Sequence, residues 1–229
     1  MVADVSELEV WYGLADFPDN YFDFCLDIGA RHGEIAEIML RRNPQAQVIC
    51  YEACKSNFEI LAQNLSHHDN VVCVNRPLGN GGDLYFSDLG FDDCHMFVPK
   101  NTGGYKIKSV TLRDIFKFHQ VRGRVQITID IEGGEWCLLD DSETLQSCDS
   151  IGMELHFKPT NPNRNLRFQN LPEWAVFQNW VDNTFNMHRA IYLHSRREFG
   201  TGIYKISKII PTCREKTVPE ESQSKGITS

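Results

Sequence analysis

The sequence predicts an α/β fold: a mostly parallel sheet with helices on both faces and an antiparallel hairpin at the C-terminal end. Three observations predict it. Apolar runs of strand length alternate with segments of helical spacing through five strands. Three acidic features, Asp27, Glu52 and the run from Asp130 to Glu135, each close an apolar run. Ligands of open parallel sheets collect at such strand ends. Two further strand-like runs then end the fold.

Residues 6–17 carry Leu8, Val10, Trp11, Leu14 and Phe17 at roughly helical spacing, which predicts a lead-in helix within residues 1–20. Pro18-Asp19-Asn20 breaks it. Residues 21–26 are the first strand. Residues 33–42 are the first domain helix, with Ile35, Ile38 and Met39 on one face and Asn43-Pro44 as its stop. Residues 47–51 are the second strand, and 56–65 a helix with Phe58, Leu61, Ala62 and Leu65 on one face. Residues 70–75 are a third strand. A turn at 80–83 precedes an added strand at 84–87, and 88–104 reads as a loop, functional or mobile.

Thr111 and Asp114 have capping-box form for a helix through His119. The β-branched run 124–131 is the best central strand. A helix starts at Glu135, and 150–157 is the next strand. A polar loop at 159–172 leads into a helix from Pro172 to Phe185, whose Trp174, Phe177, Trp180, Val181 and Phe185 read as core packing. Strands at 188–193 and 202–210 surround residues 196–200. The domain is expected to span 21–212, with a polar, disordered tail at 213–229.

With 229 residues the chain suits one domain that buries a full core. Its net charge of −8 argues against general affinity for nucleic acid or an anionic membrane. Residues 156–197 form a locally basic stretch, read either as a solvated surface or as a positive mouth for an anionic or polar acceptor. The eight cysteines complete no zinc pattern and read as reduced thiols, which suits a reducing, cytoplasmic setting. No segment reads as a signal peptide or a membrane span.

Gly29 and Gly33 allow close backbone approach and strained angles just after Asp27. Their Gly-x-x-x-Gly spacing differs from the dinucleotide fingerprint, and Asp27 places negative charge where a pyrophosphate would sit. A cofactor with a cationic amino-acid group and no phosphate fits better. Glu52 stands one strand-helix-strand unit after Asp27, where a carboxylate can accept both hydroxyls of a ribose. Asp130, Glu132 and Glu135 crowd like charge at one strand end. They could orient an amine or hydroxyl, bind a divalent metal, or serve as general base; Glu135 also suits a helix start. Glu154 and His156 alternate on the next strand toward the same side. His156 is either a structural histidine or a base for an acceptor proton near neutral pH.

On these residues the chain resembles the FkbM-type methyltransferases. Asp27-Ile28-Gly29-Ala30 with Gly33 looks like the family's first motif. Tyr51-Glu52-Ala53 with Asn57-Phe58, Leu61 and Asn64-Leu65 looks like the second. Thr111 to Ile115 followed by Ile129 to Trp136 is the most specific match, and Glu154 and His156 resemble the strand after it. Three departures stand out: Thr128 where the family often has lysine, Ala53-Cys54 where it has proline, and Arg31-His32 where it often has asparagine.

The resemblance implies a class I, Rossmann-like, seven-stranded fold and an S-adenosylmethionine (SAM)-dependent activity. It implies cofactor contacts from Asp27, Gly29, Ala30, Gly33, Glu52, Ala53, Leu78 and Asp130. Asp130, Glu132, Glu154 and His156 are then the catalytic candidates. A small hydroxylated metabolite or glycan is the expected acceptor, with neither nucleic acid nor membrane as partner. No metal ligands are assigned, and a divalent metal stays open as a second cofactor. The alternatives are a catalytically silent relative that binds SAM or a partner, and a dinucleotide-dependent oxidoreductase.

Overall fold

The computed structural model describes residues 5–87, 96–97, 105–156, 172–185, 188–196 and 201–208. A short helix, α1 (Val5–Trp11), and a 3-10 turn at Leu14–Asp16 precede the sheet. Then follow β1 (Phe24–Ile28), α2 (Glu34–Arg42), β2 (Gln47–Tyr51), α3 (Lys55–Asn64) and β3 (Val71–Val74). The strands β4 (Asp83–Ser87), β5 (Met96–Phe97) and β6 (Tyr105–Lys108) come next, then α4 (Leu112–Phe118) and β7 (Val125–Ile129). A 3-10 helix at Glu135–Asp141 runs into α5 (Ser142–Ser147), followed by β8 (Ser150–His156), α6 (Pro172–Thr184), β9 (His188–Arg196) and β10 (Thr201–Lys208).

The main sheet has seven strands in the order β3-β2-β1-β7-β8-β10-β9. β10 is antiparallel to both of its neighbours, and the β3-β2, β2-β1, β1-β7 and β7-β8 pairs are parallel. The chain winds outward from β1 to β3 and then returns to place β7 on the other side of β1. That reversal opens a crevice at the C-terminal ends of β1 and β7, the usual ligand position in such sheets.

The expected architecture stands, with local changes. β1 starts at Phe24 rather than residue 21 because Tyr21 and Phe22 pack with Phe17 as an aromatic trio, centroids 4.9–5.0 Å apart. The added strand does not join the main sheet. β4 pairs with β5 and β6 in a separate three-stranded sheet. The helix expected at Glu135 opens as a 3-10 helix and turns α only at Ser142. Thr111 does cap α4, its hydroxyl accepting from the Asp114 amide at 3.1 Å. The bulk of the 88–104 loop, the 159–171 loop, the turn at 197–200 and the tail lie outside the described residues.

Alternation along the strands gives the sheet two unlike faces. One carries Leu26, Ile28, Ile49, Ile127, Ile129, Ile151 and Met153, covered by Leu112 and Ile115 of α4, Leu145 of α5, and Phe177 and Val181 of α6. The other carries Cys25, Val48 and Cys50 under α2 and α3. Farther along that second face, β7 and β8 offer Gln126, Thr128, Ser150 and Gly152.

The lead-in segment covers this polar half. Tyr12, Leu14 and Phe17 join the α2–α3 core, Arg41 of α2 pairs with Glu9, and Lys205 of β10 pairs with Asp16 at 2.6 Å. The fit is backbone on backbone. A Cβ at Gly152 would lie 2.5 Å from the Tyr12 carbonyl oxygen.

Gly152→Ala should therefore lift the lead-in segment off β8 and destabilise the fold by roughly 2 kcal/mol, as overpacking does. A lower urea midpoint than wild type checks this; an unchanged midpoint would show that the segment does not need that contact.

Candidate active site

The glycine loop leaves β1 in a sequence of left-handed residues: Gly29 at φ +89°, Arg31 at +47° and Gly33 at +100°. Gly29 has no alternative. A Cβ there would sit 1.7 Å from the backbone oxygen of Asp130, because β1 and β7 leave the sheet side by side. A Cβ at Gly33 would press on Leu61 and Leu65 of α3 at 3.1–3.3 Å. Both glycines thus serve close approach of the chain to itself, where the sequence suggested approach to a ligand. Arg31 occupies a conformation that costs a non-glycine residue about 1 kcal/mol or more. It is held by its own amide donating to Glu52 Oε2 at 2.8 Å and by an ion pair to Glu34 at 3.2 Å. His32 is pinned as well. Its ring contacts Asn57 Oδ1 at 3.2 Å, and Asn64 donates to its carbonyl at 2.9 Å.

Asp27 is buried, with 3% of its surface exposed. The Thr128 hydroxyl donates to Oδ1 at 2.8 Å, and Oδ2 has no hydrogen-bond partner. Burial pushes this carboxyl up to about 7. Thr128 offsets part of the rise, while Glu34 and Glu52 add to it. A lysine at position 128 would set a cation beside Asp27, and threonine supplies only a hydroxyl. Glu52 is likewise raised to about 7, by burial outweighing the amides of Cys54 and Arg31. Oε1 accepts the Cys54 amide at 2.7 Å and Oε2 the Arg31 amide, and the Ala53 amide also stabilises the carboxylate.

Two alanines and Leu78 depart from the expected placement or refine it. Leu78 is 2% exposed and belongs to the hydrophobic core, its backbone bridged to Val110. The Ala30 side chain is buried in the α2–α3 core, leaving only its backbone for the loop. Ala53 is half-buried at the Glu52 end, where its carbonyl accepts from Asn75 at 3.1 Å and from the Tyr105 hydroxyl at 3.4 Å. A separate cavity of about 580 Å³ lies past Tyr51, lined by Val74, Arg76 and Lys108 among others, and none of the candidate site residues lines it.

The second acidic feature closes over β7 and β8. Glu132 at φ +52° and Gly133 at +98° turn the chain sharply after Asp130. Glu135 folds back on this turn. Its Oε1 accepts from the amides of Ile131 at 3.1 Å and Gly133 at 3.2 Å, so it anchors the loop more than it starts a helix. His156 lies between two carboxylates, with Nδ1 3.1 Å from Glu135 and Nε2 3.1 Å from Glu132. Burial opposes its charge, but the hydrogen bonds to Glu132 and Glu135 win and raise it to about 11. Asp130 rises well above the usual carboxylate range, first through burial and then through Glu154 and Glu132.

The site also holds a residue that the sequence did not mark. Tyr12, from the lead-in segment, donates its hydroxyl to Asp130 Oδ2 at 3.1 Å. Burial, then the Asp130 charge, holds its phenol well above its ordinary value. The only local hint is Gly13 after it, at φ +68°, which ends the helix and turns the segment onto the sheet.

A profile of the methyltransferase FkbM domain matches residues 27–194. The chain belongs to the FkbM methyltransferase family. It is a SAM-dependent methyltransferase on the class I fold. No curated protein matches it. Among solved structures, SMU.1697c from Streptococcus mutans in complex with SAH aligns with TM-score 0.54 at 9% identity, covering 91% of this chain and 100% of the other. An rRNA methylase from Streptococcus thermophilus aligns with TM-score 0.53 at 10% identity, covering 91% and 98%. Fibrillarin from Aeropyrum pernix with natively bound S-adenosyl-L-methionine aligns with TM-score 0.50 at 10% identity, covering 88% and 73%. At these identities the likeness concerns the fold. No helix among the described residues of this FkbM-family chain is long and apolar enough to cross a membrane.

The folded-state values of Asp27 and Glu52 lie above their unfolded ones, so folding takes up protons at these sites. Their contribution to stability is fully present below about pH 4 and is lost as pH rises through about 7. Three pK units at Asp27 correspond to roughly 4 kcal/mol. Urea titrations of ligand-free protein across this range should show stability falling with pH, and Asp27→Asn should flatten much of the slope. An equal slope in both proteins would contradict the assignment.

Proposed function

We propose that the crevice between β1 and β7 binds SAM and that the enzyme transfers its methyl group to an oxygen of a small hydroxylated acceptor, such as a metabolite or glycan. The observation that carries this is the buried Asp27 carboxyl, one oxygen of it without a partner, beside a loop bordered by Glu34 and Glu52. Such a site favours a ligand that brings positive charge and no phosphate. SAM brings a sulfonium and an ammonium group. A pyrophosphate would meet three carboxylates, which speaks against the dinucleotide alternative.

In this reading Asp27 and the backbone of residues 29–33 hold the methionine portion. Glu52 accepts ribose hydroxyls, and Ala53 lies beside the base. When bound, SAM supplies an activated methyl group on sulfur. The protein's own work is alignment and proton management. Asp130, Glu132 and Glu154 border the acceptor side. His156, held between Glu132 and Glu135, stands on the same side. Tyr12 fixes Asp130.

An acidic chain with its carboxylates gathered at the site supports a small acceptor over a polyanion. The rRNA methylase from Streptococcus thermophilus shares the fold at only 10% identity, which leaves acceptor choice to this chain's own site.

Calorimetry with SAM and its demethylated product tests the proposal. Binding is expected, weakened at least tenfold by Glu52→Ala. A cation beside Asp27 should also lower its pKa, releasing about half a proton near pH 7 in wild type and less in Asp27→Asn. That release appears as a binding heat that varies with buffer ionisation enthalpy. Absence of binding, or an unaffected Glu52→Ala variant, would sink the assignment.

A further inference from the structure

We infer that Asp130, Glu132 and His156 form a divalent-cation site on the acceptor side of the crevice. One donor atom from each lies within 4.8 Å of the other two. Proximity of acids alone would mean little. Two independent features point to a ligand. Asp130 Oδ1 is enclosed and has no hydrogen-bond partner, while its Oδ2 is already taken by Tyr12. The histidine is also oriented as metal-binding histidines are.

That orientation is built from the loop upward. Glu135, whose side chain is fully buried, is anchored by two backbone amides and contacts His156 Nδ1 at 3.1 Å. Trp136 donates to the His156 carbonyl at 2.9 Å and fixes the backbone beneath the ring. Nε2 is thereby directed to the side where Glu132 and Asp130 stand. A buried carboxylate on one ring nitrogen with the other facing the donor set is the usual second layer around a metal. Glu132 is brought into range by its left-handed backbone. Two carboxylates and one imidazole suit a cation such as Mn²⁺ and leave positions open for water or an acceptor.

The function of the site rests on the methyl-transfer proposal, while its occupancy does not. A divalent cation held by Asp130, Glu132 and His156 would make the proton of an acceptor hydroxyl easier to lose. The proton passes to a carboxylate of the cluster and then to solvent. The acceptor oxygen forms a bond to the methyl carbon, and the carbon–sulfur bond breaks with its electron pair left on sulfur as a neutral thioether. No oxidant or reductant is needed.

A second, surface group, Glu37, His67 and His68, could also take up metal, so the test is done in the His68→Ala protein. Mn²⁺ is titrated by calorimetry and by loss of the free-ion EPR signal. One ion per chain is expected, with affinity lowered at least tenfold by Glu132→Gln and 10- to 100-fold by Glu135→Gln. Glu132 is partly exposed, so its variant should fold even where the Glu135 variant does not. No Mn²⁺ binding in His68→Ala, or binding that Glu132→Gln leaves unchanged, overturns the inference. SAM titrations on the same samples separate the two proposals. SAM binding without Mn²⁺ defeats only the metal site, and Mn²⁺ binding without SAM defeats only the methyl-transfer reading.

Discussion

The site depends on the contact between Gly29 and the carbonyl of Asp130. β1 and β7 run in register up to Ile28 and Ile129, and the Asp130 amide still bonds to the Ile28 carbonyl at 2.9 Å. Past that point the two chains must part within a space that admits no methyl group. One loop turns toward α2 and Glu52, the other toward β8 and His156. The crevice between them follows from this parting, and so does its division into two acidic halves.

Charge then distinguishes the halves. Around the glycine loop, Asp27 and Glu52 are buried carboxyls raised by desolvation, with amides and a threonine hydroxyl as their neighbours. Around β8, the acids gather about one histidine, which Glu135 braces. The first half is short of positive charge at Asp27, and Thr128 is the reason. The second has His156 set between its carboxylates. A ligand that is cationic toward one side and uncharged toward the other suits that asymmetry.

Much of this was legible in the sequence because it is local. Asp27, Glu52, Asp130 and Glu154 were found as acids at strand ends, where period-two alternation and the strand terminus give both direction and position. Asn57 and Asn64 were visible as motif residues, but their role of holding His32 needed the packing of α3 against the loop. That the Leu78 and Ala30 side chains pack into the core was not legible, because a short loop carries no period from which to tell which side is buried. The strand position of His156 was legible, but its two carboxylate partners were not, since they arrive from a different strand end.

The sequence by itself determined the order and type of the elements, the parallel sheet and the acids at its crevice, since hydrophobic period and turn chemistry act over a few residues. Only the tertiary structure decided what those acids meet. Tyr12 reaches Asp130 across 118 positions, and Thr128 reaches Asp27 across 101. Burial and charge coupling between such distant residues arise only when β7 returns beside β1 and the lead-in segment closes over the polar face.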